Sequence, residues 1–192
     1  MRILDITRGI LEAPVYPGDS APELTRETHE SGPDGFTLTM NAHAGTHADA
    51  FAHFLPEGAA IDAMPLENYC GPCRVLTVPA GTLVRTEDLR GRISGAERIA
   101  LRGGGKTYLC EEAAEYIAAC GIRALVTDAV SVGPEDNEAA IHTILQSAGV
   151  AIVENADLGG VEDGDYLLFA FPMKLSGADG APVRAVLLAP GT

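Results

Sequence analysis

Residues 122–153 restrict the possible folds more than any other stretch. An apolar run at 122–127 is followed by a helical pattern and then by a second apolar run at 150–153. In the helical part, Pro134 and Glu135 open the segment, Ile141, Ile144, Leu145 and Ala148 recur at the spacing of one buried face, and Gly149 stops it. Two strands joined through a helix pair in parallel by a right-handed crossover, which requires helices packed on a sheet. Another helix is expected at 111–120, ended by Gly121. Further strands are expected at 36–43, where apolar and polar residues alternate, and at 74–78, 98–102, 166–171 and 183–188. The class is mixed α/β. At 192 residues, with no repeat and no linker composition, residues 1–192 read as a single domain with one sizeable core.

The charge balance narrows the partners. A formal net charge of -14 repels phosphate backbones and anionic lipid surfaces, so neither nucleic acid nor a membrane is expected to bind. No stretch has the length and apolarity of a membrane span, and Met1-Arg2-Ile3-Leu4-Asp5 lacks the apolar run of a signal peptide, so a cytoplasmic location is expected. Four cysteines are too few for a disulfide scaffold and read as small buried hydrophobes.

The chemistry is concentrated in His43-Ala44-Gly45-Thr46-His47-Ala48-Asp49-Ala50-Phe51-Ala52-His53-Phe54. Imidazole and carboxylate suit zinc, manganese or iron, and a catalytic ion needs about three protein ligands and a position for water. His43, His47 and Asp49 form such a set. Gly45 permits a turn, and Thr46 is placed to cap a short helix at 46–54, which would set His53 one turn beyond Asp49 on the same face. An ion held there would acidify a bound water and polarise a carbonyl, and His53 is the candidate to carry the proton to a leaving nitrogen or oxygen.

This stretch resembles the signature H-x-G-T-H-x-D-x-P-x-H-F of the cyclase family of metal-dependent hydrolases, whose best-understood members are bacterial kynurenine formamidases and isatin hydrolases. Phe51 stands where the family has proline. Asp5-Ile6-Thr7, Tyr16-Pro17-Gly18-Asp19, and Pro65-Leu66-Glu67-Asn68-Tyr69 with Gly71-Pro72 look like other family segments, so the resemblance covers nearly the whole chain. It implies a swivelling β/β/α-type fold with a mixed sheet around a barrel-like core, and a homodimer or higher homo-oligomer. It also implies a divalent metal, zinc first and manganese as the alternative, as one or two ions. By the same resemblance His43, His47 and Asp49 bind the first ion, Asp49, His142 and Glu154 bind or bridge to a second, and His53 carries the proton. Tyr16, in place of a frequent tryptophan, and Phe51 fall on the substrate side. The implied substrate is a small molecule with an amide, cyclic imide or related C–N bond. N-formylkynurenine is the first candidate; isatin-type rings and lactones are the alternatives.

Other motifs compete. Cys70-Gly71-Pro72-Cys73 matches the thioredoxin tetrapeptide, but residues 74–78 read as a strand where a thioredoxin has a helix. A zinc site from Cys70, Cys73, Cys110 and Cys120 lacks close spacing in its second pair. Gly105-Lys106-Thr107 ends like a P-loop, yet Ala100 occupies the required glycine position. Glu111 and Glu112 read as favourable charges in a helix's first turn, and Asp128 as either a partner of a ligand histidine or a helix cap. A metal-binding protein without catalysis has the same ligands, and only a role for His53 separates it from an enzyme.

Overall fold

The strand, helix, strand unit is present in a computed structural model, which describes residues 2–189. It consists of β9 (Ala124–Thr127), α3 (Glu138–Ser147) and β10 (Ala151–Glu154), and the two strands pair in parallel with Ile152 opposite Leu125. The earlier elements are β1 (Arg2–Asp5), β2 (Glu23–Glu27), β3 (Gly35–Thr39), β4 (His47–Asp49), β5 (Cys70–Thr77), β6 (Leu83–Val84), α1 (Thr86–Leu89), β7 (Arg98–Arg102), β8 (Tyr108–Leu109) and α2 (Glu111–Ala119). The later ones are β11 (Gly164–Phe169), β12 (Gly180–Pro182) and β13 (Val186–Ala189). One sheet runs in the order β1-β13-β11-β5-β7-β9-β10-β4-β12, parallel at its centre from β5 to β10 and antiparallel on both flanks. The mixed α/β expectation holds.

Residues alternate along the central strands between two cores. Leu76, Ile99, Leu101, Leu125 and Ile152 face the helices, where they meet Leu89, Ile117, Ile141 and Leu145. Val75, Ala100, Ala124, Val126, Ala151 and Val153 face the other way and share one cluster with Ala48, Ala181, Leu168 and Leu187 from opposite flanks of the sheet. Strands so far apart in the order touch only if this face is concave, and the alanines leave space for the curl. The segment after β1 completes the bend: Thr7 bridges to Ala156, and Asp157 N–H donates to the Ile6 carbonyl at 2.8 Å. The half-barrel that results is the barrel-like core expected from the resemblance.

Three local expectations are corrected. The strand at 36–43 stops at Thr39, and His43 lies in a turn. The stretch 46–54 is not an α-helix: it is β4, followed by a 3-10 turn at Phe51–His53. The alternation of His47 and Asp49 with fully buried Ala48 and Ala50 is a strand pattern, and pairing on both edges outweighs the Thr46 capping signal. The strand at 183–188 starts at Val186, because Val183 is occupied by an isolated bridge to Pro172.

The Cys70 to Cys73 tetrapeptide belongs to β5. Three strand residues span about 10 Å and place the two side chains on opposite faces, beyond the reach of a disulfide. Cys73 is buried, and loss of water pushes its thiol up to about 12. Gly71 has φ +127°, and a Cβ there would lie 2.7 Å from the guanidinium of Arg98, a buried side chain that donates to the carbonyls of Glu67, Asn68 and Pro72. The Gly-Pro pair therefore seats an arginine that ties the loop before β5 to β7. Parent protein is expected to show no insulin reduction, and Cys70→Ser with Cys73→Ala should leave hydrolytic turnover within about two-fold, as for substitutions remote from a site. Insulin reduction lost on substitution would restore the redox reading.

Candidate metal centre

Strand β4 supplies two of the predicted ligands. His47 and Asp49 are two residues apart, so both side chains leave one face while Ala48 enters the core. Glu154 of β10 lies directly opposite His47 in the antiparallel register, which puts its carboxylate on that same face. His43 arrives from the preceding turn, where Asn41 Oδ1 accepts its backbone N–H at 3.0 Å and Gly45, at φ +68°, turns the chain back. Space for the His43 ring depends on Gly180 of β12, because a Cβ there would meet the imidazole at 2.5 Å. His142 projects from α3 against Phe54, the two rings stacked at 4.3 Å.

Two of the imidazoles are oriented in the same manner. His47 Nδ1 lies 3.0 Å from the Gly45 carbonyl, and His142 Nδ1 lies 2.9 Å from the Glu138 carbonyl. A carbonyl only accepts, so each neutral ring carries its proton on Nδ1 and turns an Nε2 lone pair inward. His47 Nε2 is 3.5 Å from both Asp49 Oδ1 and Glu154 Oε2. His142 Nε2 is 3.3 Å from Asp49 Oδ2 and 3.2 Å from Glu154 Oε1. Glu154 Oε1 also accepts the Val132 N–H at 2.8 Å.

Two ligand groups result, joined through Asp49. One is His43, His47 and Asp49; the other is Asp49, His142 and Glu154; within each, the donor atoms lie within 4.8 Å of one another. Asp49 is buried, yet its Oδ2 has no well-formed hydrogen bond among the described residues. A buried carboxylate oxygen in that condition is costly unless a cation satisfies it. Together with the imidazole and carboxylate donors around it, it fits a divalent ion in either group.

The charges point the same way. Burial pulls the His43 imidazole down, but the hydrogen bond and charge of Asp49, with the charge of Asp179, outweigh it and raise it from 6.5 to about 9. His47 and His142 are likewise raised by Asp49 and Glu154 against the cost of burial. Burial raises Asp49, while His142, His43 and His47 lower it further, so its net shift is downward. The metal-free cluster therefore holds protons that a cation must displace. Zinc titrations at pH 7.5 are expected to release at least about one proton per ion, read by calorimetry in buffers of different ionisation enthalpy, and affinity should fall as pH drops. A raised His43 stabilises the metal-free fold fully below about 6.5 and loses that contribution as pH rises through about 9, so the chelated protein should melt at lower temperature across that window.

A cavity of about 360 Å³ opens onto the cluster, lined by His43, His47, Glu154 and His53, with Tyr16 and Phe54 on its walls. Phe51, expected on the substrate side, packs against the core; Phe54, three residues on, lines the cavity instead, because the 3-10 turn rotates Phe51 inward. Tyr16 donates its hydroxyl to Glu138 Oε2 at 2.6 Å, and Ser131 Oγ donates to Glu138 Oε1 at 2.5 Å. Asp128 is held by Gly103 N–H, Gly104 N–H and the Thr107 hydroxyl, so it braces the glycine turn rather than a ligand. Sequence reasoning missed Glu138 and Asp179. Asp179 lies 2.9 Å from His53 Nδ1 and 3.3 Å from His43 Nε2, and it forms a third cluster of ligand-type residues with those two histidines. Its neighbours Gly177, Ala178 and Gly180 make the segment look like a plain turn.

Comparison with known proteins gives concordant likenesses. The sequence pattern of the family described as "Putative cyclase" matches residues 4–134. The kynurenine formamidase of Bacillus cytotoxicus is 34% identical over 191 residues, covering 92% of this chain and 91% of that protein. A solved structure described as a predicted metal-dependent hydrolase from Bacillus stearothermophilus superposes with a TM-score of 0.84 at 29% identity, covering 97% of each chain. Isatin hydrolase A from Labrenzia aggregata, bound to benzyl benzoate, shares the fold with a TM-score of 0.83 at 19% identity over 98% of this chain and 94% of that one.

Proposed function

The chain belongs to the cyclase family, and from that premise we propose that it is a metal-dependent hydrolase of non-peptide C–N bonds, with aryl formamides such as N-formylkynurenine as its first substrates. The observation that carries the reading is the convergence of three imidazoles and two carboxylates in one cluster, of which His43, His47 and Glu154 line a cavity that a further imidazole, His53, also lines. His43, His47 and Asp49 would hold one ion; Asp49, His142 and Glu154 would hold a second. Zinc is the proposed ion and manganese the alternative. When bound, the ion acidifies water and polarises the scissile carbonyl.

The chain's own residues do the rest. His53 takes a proton from the attacking water and returns it to the leaving nitrogen, a role suited to an imidazole, whose free ring nitrogen can accept a proton and release it again. Glu138 fixes Tyr16 with its hydroxyl proton turned away, so Tyr16 offers the substrate its ring and an oxygen lone pair rather than a proton. The Phe54 ring, held against His142, supplies an apolar wall. Residues 1–192 are proposed to act as one domain in the cytoplasm, where four free thiols stay reduced.

A homodimer is also proposed. The β2–β3 hairpin puts Leu24, Leu38 and Phe36 on one face, and Phe36 is 64% exposed. A two-stranded hairpin is marginal alone and gains from a cover. Light scattering should return the mass of two chains.

The decisive experiment couples elemental analysis of purified protein to a hydrolysis screen with N-formylkynurenine, isatin and simple lactones, before and after chelation and reloading with zinc or manganese. Turnover of N-formylkynurenine that disappears on chelation and returns with metal is the expected result. Preferential opening of isatin or a lactone would redirect the substrate assignment. No bound metal and no turnover under any condition would refute the hydrolase.

A further inference from the structure

Asp179 is anchored by backbone on both sides of its side chain's work. Its carbonyl accepts the Ala50 N–H at 2.8 Å, and Gly180, next in sequence, pairs with Asp49 across β12 and β4. Gly180 also lets the His43 ring lie close to this strand, since any Cβ would collide with it. One carboxylate thereby reaches two imidazoles: Oδ2 is 2.9 Å from His53 Nδ1, and Oδ1 is 3.3 Å from His43 Nε2. The His53 and His43 rings lie 4.2 Å apart, tilted by 30°.

His53 is a ring that packing alone does not hold, because its side chain is 28% exposed. Among the described residues, its only side-chain hydrogen bond is to Asp179. A carboxylate accepts and does not donate, so in the neutral ring the proton must sit on Nδ1 and the lone pair on Nε2. Nε2 lies across the ring from Asp179 and has no protein partner among the described residues, while His53 lines the cavity. Without this contact the ring would divide between tautomers and turn about its side-chain bonds.

We propose that Asp179 is a positioning residue that holds His53 in the Nδ1–H tautomer with Nε2 toward the substrate, and offsets the charge that His53 acquires during turnover. The inference rests on the assignment of His53 as proton carrier. In the step itself, a water O–H bond breaks as the water oxygen bonds to the substrate carbonyl carbon, and the released proton bonds to Nε2, leaving the ring as a cation with both nitrogens protonated. Nε2 then gives that proton to the leaving nitrogen as the C–N bond breaks. Asp179 is a carboxylate throughout, as in other carboxylate–histidine pairs that act by orientation and charge.

The test uses full-length, metal-loaded protein and N-formylkynurenine, comparing parent with Asp179→Ala, Asp179→Asn and Asp179→Glu. Ala is expected to lower kcat by roughly 10²–10⁴-fold with KM changed only a few-fold and metal per chain unchanged. Asn can offer its amide N–H₂ and favour the other tautomer, so it should be no better than Ala; Glu should restore part of the rate. Ring ¹⁵N spectra, with His53 assigned from a His53→Gln variant, should show Nδ1–H for His53 in the parent and a mixture of tautomers in Asp179→Ala. Loss of an ion in Asp179→Ala would instead make Asp179 a metal ligand with His43 and His53 and overturn the proposal. So would His53 signals that do not move. The spectra decide the matter even if the parent does not hydrolyse this substrate. If His53→Ala retains turnover, the proton-carrier assignment itself fails; if His53→Ala is inactive but Asp179→Ala is not, the positioning role alone fails.

Discussion

Asp49→Asn is expected to strip metal from both ligand groups and to lower turnover by about 10³-fold or more. Asp49 is the one residue common to His43 with His47 and to His142 with Glu154, so its loss cannot be confined to one ion. A Lewis acid contributes several kcal/mol to the transition state, and each 1.36 kcal/mol is a factor of ten. The contrast is Glu154→Gln, which leaves His43, His47 and Asp49 intact and should keep the first ion while losing the second. Metal per chain by elemental analysis separates the two variants. Asp49→Asn should also lower the melting temperature of chelated protein, since the buried imidazoles of His47 and His142 lose the charge facing them. Equal metal content in Asp49→Asn and parent would show that these carboxylates and imidazoles do not form the centre.

His53→Ala is expected to cost kcat roughly 10²–10⁴-fold while metal content stays at the parental level. The expectation comes from where His53 sits: on the 3-10 turn after β4, at the cavity edge and in neither of the two groups joined by Asp49. Removing the ring leaves a gap in a partly open cavity, so millimolar imidazole should recover part of the lost rate. A metal-binding protein without catalysis has no activity to lose. Loss of an ion in His53→Ala would move this histidine from proton carrier to ligand.

The proposed ligands His43, His47 and Asp49 are legible in the sequence because they crowd into one short stretch whose spacing suits a cation, whereas His142 and Glu154 are reached only through the family resemblance, which their places on the helix and strand of the crossover unit suit. The local structure beneath the stretch is not legible. His47, Ala48, Asp49 and Ala50 alternate with the period of a strand, yet Thr46 and the alanines look equally like a helix start, and only pairing with β10 and β12 decides between them. Phe51 and Phe54 cannot be ranked as wall residues without knowing the turn that separates them. Asp179 is invisible for a different reason. It lies 126 residues from His53, in a segment of glycine and alanine, and its importance comes from the register of β12 on β4. Such long-range register leaves little trace in local composition.

The position of β4 between β10 and β12 also bears on when the centre can form. In chain order His43, His47 and Asp49 come first, His142 and Glu154 later, and the strand that begins at Gly180 after them. Until that strand is made, one edge of β4 lacks its β12 partner and the His53 carboxylate neighbour does not exist. The spacing of the proposed ligands therefore depends on β12 closing that edge of β4.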